Sequence, residues 1–390
     1  MYDAIVVGAR CAGSPTAMLL ARKGHKVLLV DRASFPSDTL STHYIHQSGA
    51  AYLERWGLRD RIIAAGATSI RKFSLDIGPF ALRGTPPPID GVADAHSLRR
   101  NVLDQILVEA AASAGVEVRE RYPVDELVFE EGRVAGIRSR DRVDRARIVI
   151  GADGLGSVVA RAVDAPVYGD HGTLTCLYYT YWSDLPVDGA ELYLRPGSMF
   201  VAAPTNDDRT LTAVQWPRSQ FHEVRADVER HVTAAFEQAP ELAERIRGAV
   251  RRDRFRGTGR LPNLYRRPYG DGWALVGDAG YHKDPIIAIG ITDAFRDAQL
   301  LADAIDAGED LALYEQRRNE RSADSFQRSV DFARLLPPPP LMQQLFVALR
   351  DGAQSDRDDL FGTIAGTVPA ERFFAPDNVA RILVSLDAAA

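Results

Sequence analysis

The first 32 residues constrain the fold of this chain more than any other segment. Residues 2–7 are an apolar, β-branched run, and they lead into a short turn flanked by Gly8 and Gly13. An Ala- and Leu-rich stretch follows, and residues 26–30 form a second apolar run that ends at Asp31. A strand, a glycine turn, a helix and a second strand ending in an acid are the fingerprint of a dinucleotide-binding βαβ unit.

Each position of this fingerprint has a chemical reason. Gly8 allows the tight turn that leaves the strand, and Gly13 allows the helix to pack closely on the sheet. The helix N-terminus offers N–H groups to a pyrophosphate, and Asp31 can accept hydrogen bonds from a ribose. Arg10 replaces the middle glycine, so its side chain either points away from the phosphates or assists in binding them. A βαβ unit without a ligand is the competing interpretation, and the terminal acid and both glycines favour nucleotide binding.

Composition excludes several classes of protein. A chain of 390 residues exceeds what one core organises, which predicts two domains. The net charge of −6 comes from interspersed acids and bases, so we expect no nucleic-acid partner. Two cysteines without metal-ligand spacing predict no disulfide framework, no metal site and a reducing compartment. The sequence shows no signal peptide and no apolar run of membrane-spanning length, so we expect a soluble, cytoplasmic protein without stable membrane insertion.

A polar loop at residues 33–46 follows the second strand and would run alongside a bound dinucleotide. It contains His43, Tyr44 and His46, whose side chains could serve as the acid or base of a reaction. The same residues could equally be surface or helix-capping groups. We take them as candidate catalytic residues. His282 either approaches the reacting group or makes a structural hydrogen bond.

Residues 173–216 are a run of strand-like segments separated by turns, which predicts an antiparallel sheet. The aromatic residues in this run could form the apolar face of a substrate site, or they could be ordinary sheet packing. The candidate substrate-binding residues are four of these aromatics: Tyr179, Tyr181, Tyr193 and Trp216.

A third apolar strand lies within residues 272–278 and ends in a glycine and an acid. A turn at Pro285 and a long predicted helix at residues 290–307 follow it. The rest of the chain is mostly helical, and four prolines at residues 337–340 separate a C-terminal helical segment. We expect that segment to cover one face of the site.

Three motifs therefore stand in a fixed order: the fingerprint at residues 8–13, Gly-Ala-Asp-Gly at residues 151–154 and Gly-Asp-Ala at residues 277–279. With these motifs the chain resembles the flavoprotein monooxygenases of the para-hydroxybenzoate hydroxylase type, a superfamily that includes geranylgeranyl reductases and flavin-dependent halogenases. The resemblance covers roughly residues 2–307. It implies an α/β fold with a discontinuous Rossmann-like FAD-binding domain, an antiparallel-sheet substrate domain and a helical C-terminal segment.

The resemblance also implies domain bounds. The FAD-binding domain would take residues 1–70, 96–165 and 266–335, the substrate-binding sheet domain residues 71–95 and 166–265, and the C-terminal segment residues 336–390.

The cofactor-binding residues that the resemblance implies lie at positions matching the family's motifs. Asp278 would bind the ribityl chain of FAD, Arg100 would lie near the pyrophosphate, and Val124 would meet the adenine. The N–H groups at Gly290 and Ile291 would face the flavin ring, where a helix dipole stabilises the anionic reduced form. The complete set is Gly8, Arg10, Cys11, Ala12, Gly13, Asp31, Arg32, Thr42, Arg100, Val124, Asp153, Gly154, Gly277, Asp278, Pro285, Gly290 and Ile291.

The chain departs from the family pattern before the long helix. The usual sequence there is proline, two residues and then Gly-Gln-Gly-x-Asn, whereas this chain has Ala288 at the first glycine position and Thr292 at the asparagine position. Only the second glycine, Gly290, is kept, which predicts a more apolar flavin pocket. The halogenase motif Trp-x-Trp-x-Ile-Pro is absent, and Lys72 is better explained as a surface residue, so halogenation is disfavoured.

The resemblance implies a monooxygenase that uses FAD, with NADH or NADPH as a transient reductant and O2 as co-substrate. It would hydroxylate or epoxidise an apolar or aromatic small molecule through a flavin C4a-hydroperoxide. One alternative is an FAD-dependent reductase of prenyl or polyene double bonds. An alternative of another class is a flavin-binding redox sensor or scaffold. The sequence leaves the oligomeric state open.

Overall fold

The computed structural model describes residues 1–387, so the last three residues of the predicted C-terminal segment lie outside the described residues. The strands are β1 Tyr2–Val7, β2 Val27–Val30, β3 Tyr44–Ile45, β4 Thr68–Ile70, β5 Phe73–Asp76, β6 Ala81–Gly84, β7 Ala95–Ser97, β8 Glu117–Arg119, β9 Glu126–Glu130, β10 Arg133–Ser139, β11 Arg142–Gly151, β12 Val167–Thr173, β13 Thr175–Ser183, β14 Ala190–Arg195, β15 Ser198–Thr205, β16 Arg209–Pro217, β17 Val250–Arg251, β18 Arg256–Thr258, β19 Pro262–Arg266, β20 Tyr269–Gly270, β21 Trp273–Leu275 and β22 Tyr281–His282.

The helices of the described residues follow the same order along the chain. They are α1 Gly13–Arg22, α2 Gln47–Arg55, α3 Arg59–Ala64, α4 Arg100–Ser113, α5 Val158–Ala162, α6 Phe221–Ala226, α7 Val228–Glu237, α8 Pro240–Arg247, α9 Gly290–Asp306, α10 Leu311–Ala333, α11 Pro340–Asp351, α12 Gln354–Ala365, α13 Ala370–Phe373 and α14 Pro376–Asp387. Short 3₁₀ turns lie at Arg218–Gln220, Gly277–Ala279 and Pro285–Ile287.

The first sheet carries the dinucleotide-binding unit. Its strands run in the order β20-β21-β11-β1-β2-β8, and β1 is parallel to both of its neighbours, β2 and β11. Helices α1, α4 and α9 contribute to the core on one face, and α5 contributes to the core on the other face. Because both faces are covered, β1 and β2 read as continuous apolar runs rather than alternating ones.

The second sheet is largely antiparallel. Its strands run in the order β17-β13-β16-β15-β14-β5-β6, with only the β14–β5 pair parallel along this path. Side chains alternate between its two faces, as the pleat requires. Helices α6, α7 and α8 cover one face, and the other face points toward the 285–289 turn and the C-terminal helices.

The C-terminal segment is helical and packs on the edge of the second sheet. Helices α11 and α12 contact β6, and α11 also packs against α14. Their apolar residues share one core with residues of β5 and β6. The α/β fold class with an antiparallel sheet and a helical C-terminal segment is therefore confirmed. Among the described helices, none combines the length and the hydropathy needed to cross a bilayer.

Strand β11 is a long strand that leads into the Gly-Ala-Asp-Gly motif. It extends over Arg142–Gly151 because its first half pairs with β10 in a hairpin, while its second half pairs with β1 and β21 in the parallel sheet. The polar loop at residues 33–46 also contributes the short strand β3, which pairs with β7.

Candidate active site

A cavity of about 900 Å³ lies at the carboxyl ends of β1, β2, β11 and β21. Its wall consists of the glycine turn after β1, the 37–44 loop, the Asp153-Gly154 turn and the N-terminus of α9. This edge of a parallel sheet is where doubly wound folds bind their ligands. We call this space the cofactor cavity.

The structure brings sixteen of the seventeen predicted cofactor-binding residues to this cavity. They are Gly8, Arg10, Cys11, Ala12, Asp31, Arg32, Thr42, Arg100, Val124, Asp153, Gly154, Gly277, Asp278, Pro285, Gly290 and Ile291. Gly13 lies behind the wall, where a Cβ would be 1.8 Å from the carbonyl oxygen of Gly8. This contact explains why the close approach of α1 to the turn requires a glycine.

The side chain of Arg10 contacts the 37–44 loop and α4. Its guanidinium lies 2.5 Å from a carboxylate oxygen of Asp104 and 3.0 Å from the hydroxyl of Ser37. Asp104 is fully buried and also pairs with Arg100 at 2.9 Å. The side chain that replaces the middle glycine therefore ties the glycine turn to the 37–44 loop and to α4, while part of it lines the cavity.

Two carboxylates at the floor of the cavity keep lone pairs for a ligand. Asp31 accepts hydrogen bonds from the backbone N–H of Ala9 at 2.7 Å and of Ala33 at 2.8 Å. Asp153 accepts one from the backbone N–H of Val158 at 2.6 Å, and its buried Oδ1 has no hydrogen-bond partner among residues 1–387. Burial raises the pKa of Asp153 above its ordinary value. An unpaired buried carboxylate oxygen is stabilised when a ligand donates to it.

Two helix N-termini face the cavity without a side-chain cap. Helix α1 begins after Ala12 and helix α9 after Ile289, and neither preceding residue caps the helix with its side chain. A Cβ at Gly290 or at Gly154 would meet no protein atom within 4 Å, so ligand atoms have room there. Free N–H groups and helix dipoles bind pyrophosphate and other electron-rich groups. The donor set therefore fits a flavin adenine dinucleotide.

A buried array of charges lies at the α9 end of the cavity, and it was not predicted from the sequence. The ammonium of Lys283 lies 2.5 Å from Asp293, and Arg296 pairs with Asp293 at 2.7 Å and with Asp297 at 2.8 Å. Burial lowers the pKa of Lys283. Burial alone would raise the pKa of Asp293, but Lys283 and Arg296 hold it below its ordinary value. Lys283 and Asp293 also line the cavity.

A second, smaller cavity of about 100 Å³ adjoins the first. The residues that line both cavities are Thr42, Tyr44, Leu177, Pro285 and Ala288. The wall of the smaller cavity is mostly aliphatic and aromatic, and it comes from β3, β5, β13 to β16, the 285–289 turn, α10 and α12. Of its lining residues, the sequence predicts Thr42, Tyr44, His46 and Pro285 as site residues. Sequence reasoning missed the others, although the alternation along β15 and β16 marks which positions share a face. We call this space the apolar cavity.

The predicted substrate-binding aromatics do not line the apolar cavity. Tyr193 and Trp216 belong to the opposite face of the sheet, where they pack with residues of α6, α7 and α8. Tyr179 and Tyr181 share the face of Leu177 but lie farther along β13. Strand alternation explains the placement of Tyr193 and Trp216, because these rings and the cavity-lining residues of β14 and β16 occupy alternate positions of the strands.

The three candidate catalytic residues have different environments. His43 lines the cofactor cavity, and both of its ring nitrogens have neighbours: Thr205 at 3.0 Å and Tyr181 at 3.4 Å. Burial lowers the pKa of His43 to about 3 and that of His46 to about 4, so both rings are neutral near pH 7. The hydroxyl of Tyr44 and Nδ1 of His46 are buried without a partner among the described residues.

Two other residues considered from the sequence, His282 and Lys72, lie in different surroundings. His282 lines the cofactor cavity, and its Nδ1 lies 2.5 Å from the carbonyl oxygen of Pro262. Since that oxygen can only accept, Nδ1 of His282 is the donor. Lys72 is exposed and pairs with Asp188 at 3.0 Å, on the surface as the sequence indicated.

Comparison with known proteins places this geometry in a family. The family described as "FAD binding domain" matches residues 1–329. Digeranylgeranylglycerophospholipid reductase 2 of Methanopyrus kandleri is 27% identical over 352 residues, covering 85% of each chain. A flavoprotein/dehydrogenase from Cytophaga hutchinsonii superposes with a TM-score of 0.84 at 20% identity, covering 99% of each chain. The probable FAD-dependent monooxygenase pqsL from Pseudomonas aeruginosa superposes with a TM-score of 0.69 at 22% identity, also covering 99% of each chain.

The chain belongs to the FAD binding domain family. With its flavoprotein fold and its relatives, it is an FAD-dependent oxidoreductase, and the predicted superfamily is confirmed. Of the alternatives considered from the sequence, the enzyme therefore replaces the redox sensor or scaffold.

Proposed function

We propose that this protein is an NAD(P)H-dependent FAD monooxygenase that hydroxylates or epoxidises an apolar or aromatic small molecule. The observation that carries the proposal is the apolar cavity that adjoins the cofactor cavity. A substrate in the apolar cavity can present one end to the cofactor cavity, while the aliphatic wall excludes water.

FAD, when bound, supplies the redox chemistry that side chains lack: it accepts a hydride from NAD(P)H and activates O2. Two electrons from NAD(P)H and a proton balance the reaction, because one oxygen atom enters the substrate and the other leaves as water. The sixteen predicted residues that line the cofactor cavity would hold the cofactor. The uncapped N-terminus of α9 would stabilise negative charge on the reduced flavin.

His46 is fixed as a hydrogen-bond acceptor. Its Nε2 lies 3.0 Å from the carbonyl oxygen of Ile287, which can only accept, so Nε2 carries the proton and Nδ1 carries the lone pair. Its lowered pKa, about 4, keeps the ring neutral. The free lone pair supports a substrate with a hydroxyl or N–H group, such as a phenol, because Nδ1 can accept a hydrogen bond from that group and orient it.

Tyr44 complements His46. Its ring packs edge-on against His46, with centroids 4.8 Å apart, and it lines both cavities. Burial raises the pKa of Tyr44 well above its ordinary value, so its hydroxyl stays protonated. It can therefore donate to an oxygen of the substrate.

A second candidate function is the reduction of prenyl or polyene double bonds. The apolar wall of the smaller cavity favours it, and so does the likeness to a relative whose name describes a geranylgeranyl lipid reductase. In this reaction a hydride would reach one carbon of the double bond, and the protonated hydroxyl of Tyr44 could supply the proton to the other carbon.

Product analysis with labelled oxygen distinguishes the two candidates. FAD-loaded protein is incubated with NADH or NADPH, ¹⁸O2 and one of two probe classes: 4-alkylphenols or geranylgeraniol. The proposal predicts a product with one labelled oxygen atom and O2 use that depends on the probe. A hydrogenated product formed without O2 would replace the proposal with the second candidate.

The role of His46 is tested with His46→Gln, which keeps a donor near Ile287 but loses the lone pair of Nδ1. We expect turnover of a phenol to fall at least about tenfold, because the hydrogen bond that orients the substrate is lost. His222→Gln, at an exposed position of α6, is the matched control and should turn over normally. Full turnover by the His46→Gln variant would remove Nδ1 from the reaction.

A further inference from the structure

Ala288 has a backbone conformation that residues with a side chain rarely adopt. Its φ is 54° and its ψ is 29°, in the left-handed region. Steric contact between Cβ and the backbone disfavours this region for every residue except glycine. The resembled family has glycine at this position. Ala288 therefore carries a methyl group in a backbone conformation that glycine adopts with less strain.

The turn that contains Ala288 is held from both ends. The carboxylate of Asp284 accepts hydrogen bonds from Thr175 at 2.5 Å and from Gln215 at 2.7 Å, and its Oδ1 also accepts from the N–H of Ile286 at 3.2 Å. These groups are buried. The N-terminal end of the turn is therefore anchored to β13 and β16.

The C-terminal end of the turn is held as firmly. The N–H of Ala288 donates to the carbonyl oxygen of Pro285 at 2.8 Å, and His46 donates to the carbonyl oxygen of Ile287 at 3.0 Å. Strained backbone persists only where surrounding contacts determine it in this way, and such strain concentrates at functional sites.

Ala288 lies between the two cavities. Ala288 lines the cofactor cavity and the apolar cavity, beside Pro285, whose ring fixes the backbone. On the other side, Tyr44 and Leu177 line both cavities as well. Ala288 therefore lies at the boundary between the two cavities.

We propose that the methyl group of Ala288 is a size filter between the two cavities. It restricts the substrate to molecules whose reacting end is flat and unbranched, such as an unhindered aromatic ring or alkene. This inference rests on the proposed function, because it assumes that the substrate occupies the apolar cavity.

The test compares Ala288→Gly with wild type in FAD-loaded protein. The probes are phenol, 4-methylphenol and the hindered 2,6-dimethylphenol and 2-tert-butylphenol, and binding is read from the change in the flavin absorbance spectrum. We expect Ala288→Gly to improve the affinity for the hindered phenols, relative to phenol, at least about tenfold. An unchanged ratio of affinities would overturn the filter.

Glu131→Gly is the matched control. Glu131 also has a left-handed backbone, with φ 49°, but it lies in the exposed turn between β9 and β10. In both variants, glycine relieves the backbone strain, which raises stability, but it also gives the unfolded chain more freedom, which lowers stability. Because the two effects oppose each other, we expect each Tm to lie within about 2 °C of wild type. The control should bind all four phenols as wild type does, and a gain equal to that of Ala288→Gly would also overturn the filter.

A second readout separates failure of the filter from failure of the proposed function. If no phenol perturbs the wild-type flavin, aromatic substrates are excluded, and the two proteins are compared by quenching of flavin fluorescence with acrylamide and N-tert-butylacrylamide. A selective gain of quenching by the larger amide in Ala288→Gly supports the filter. Equal quenching in both proteins overturns it.

Discussion

The cofactor cavity and the apolar cavity adjoin each other, but they are assembled in opposite ways. Much of the cofactor cavity is lined by three short motifs, each of which places its residues through local chain geometry. The apolar cavity takes its wall from separate residues of eight strands and helices, which only the tertiary fold brings together. A binding site for a widely shared cofactor can therefore be recognised from short sequence motifs. The substrate site of one protein can be recognised only in the folded structure.

The largest expected effect comes from the glycine turn. In Gly13→Ala the new methyl group would lie 1.8 Å from the carbonyl oxygen of Gly8, so the backbone must shift. We expect the free energy of unfolding to fall by about 3 kcal/mol, the upper end of ordinary overpacking costs, as measured by urea unfolding. Gly290→Ala is the matched control, since its methyl group meets no protein atom within 4 Å. If Gly13→Ala is as stable as this control, the turn does not need its glycine.

The next effect concerns the carboxylate at the end of β2. Asp31→Ala removes the acceptor for two backbone N–H groups and the proposed partner of the FAD ribose. We expect FAD binding to weaken by about 1–3 kcal/mol, measured by fluorescence titration. Asp31→Asn keeps one acceptor oxygen and should lose less. Unchanged FAD affinity in Asp31→Ala would remove this residue from the cofactor site.

A substitution in the apolar cavity should have the opposite profile. Ala213 is buried on β16 and lines only the apolar cavity, so Ala213→Leu fills space in that cavity alone. We expect unchanged FAD affinity and at least a tenfold loss of kcat/KM for the substrate, which corresponds to about 1.4 kcal/mol. Weakened FAD binding in this variant would show that the two cavities are one site rather than two.

The smallest effect is the pH dependence of stability. His43 and His46 have pKa values lowered to about 3 and about 4, whereas each titrates near 6.5 when unfolded. The unfolded chain therefore binds more protons below pH 6.5, and each histidine's contribution to stability, complete above pH 6.5, is lost as the pH falls. Between pH 7.5 and 5.5, we expect wild type to lose about 1.4 kcal/mol more than His46→Gln in urea unfolding. Equal losses would show that His46 is not buried as a neutral ring.

The sequence predicted the first sheet and the cofactor cavity well, for a physical reason. Gly8, Gly13 and Asp31 are dictated by local backbone geometry and by the chemistry of the turn, and both are visible in a few consecutive residues. Arg10 shows where this reasoning stops. Its partner Asp104 lies 94 residues away in the chain, so only the fold shows that its side chain ties the turn to α4.

The apolar cavity could not be predicted in the same way. The sequence predicts aromatic residues on the substrate face, because they are the most conspicuous apolar groups. In the structure, Tyr193 and Trp216 pack in the core beneath α6, α7 and α8. The cavity wall uses aliphatic residues, such as Val201 and Ala213, that resemble any buried strand residue. Their function depends on which face of the sheet meets the 285–289 turn, and that is a tertiary property.

The strain at Ala288 illustrates the same limit. The sequence shows that a glycine of the family pattern is replaced, but it does not show that the backbone keeps the glycine conformation. The cause lies in Asp284, whose partners come from β13 and β16, far away in the chain.

We propose that the cofactor cavity holds an FAD that NAD(P)H reduces and O2 reoxidises. The most direct test is an absorbance spectrum of the purified protein, followed by anaerobic addition of NADH and then NADPH, and finally by admission of O2. We predict a yellow protein that bleaches with one of the two nucleotides and regains its colour with O2. A colourless protein that takes up no added FAD would contradict the account.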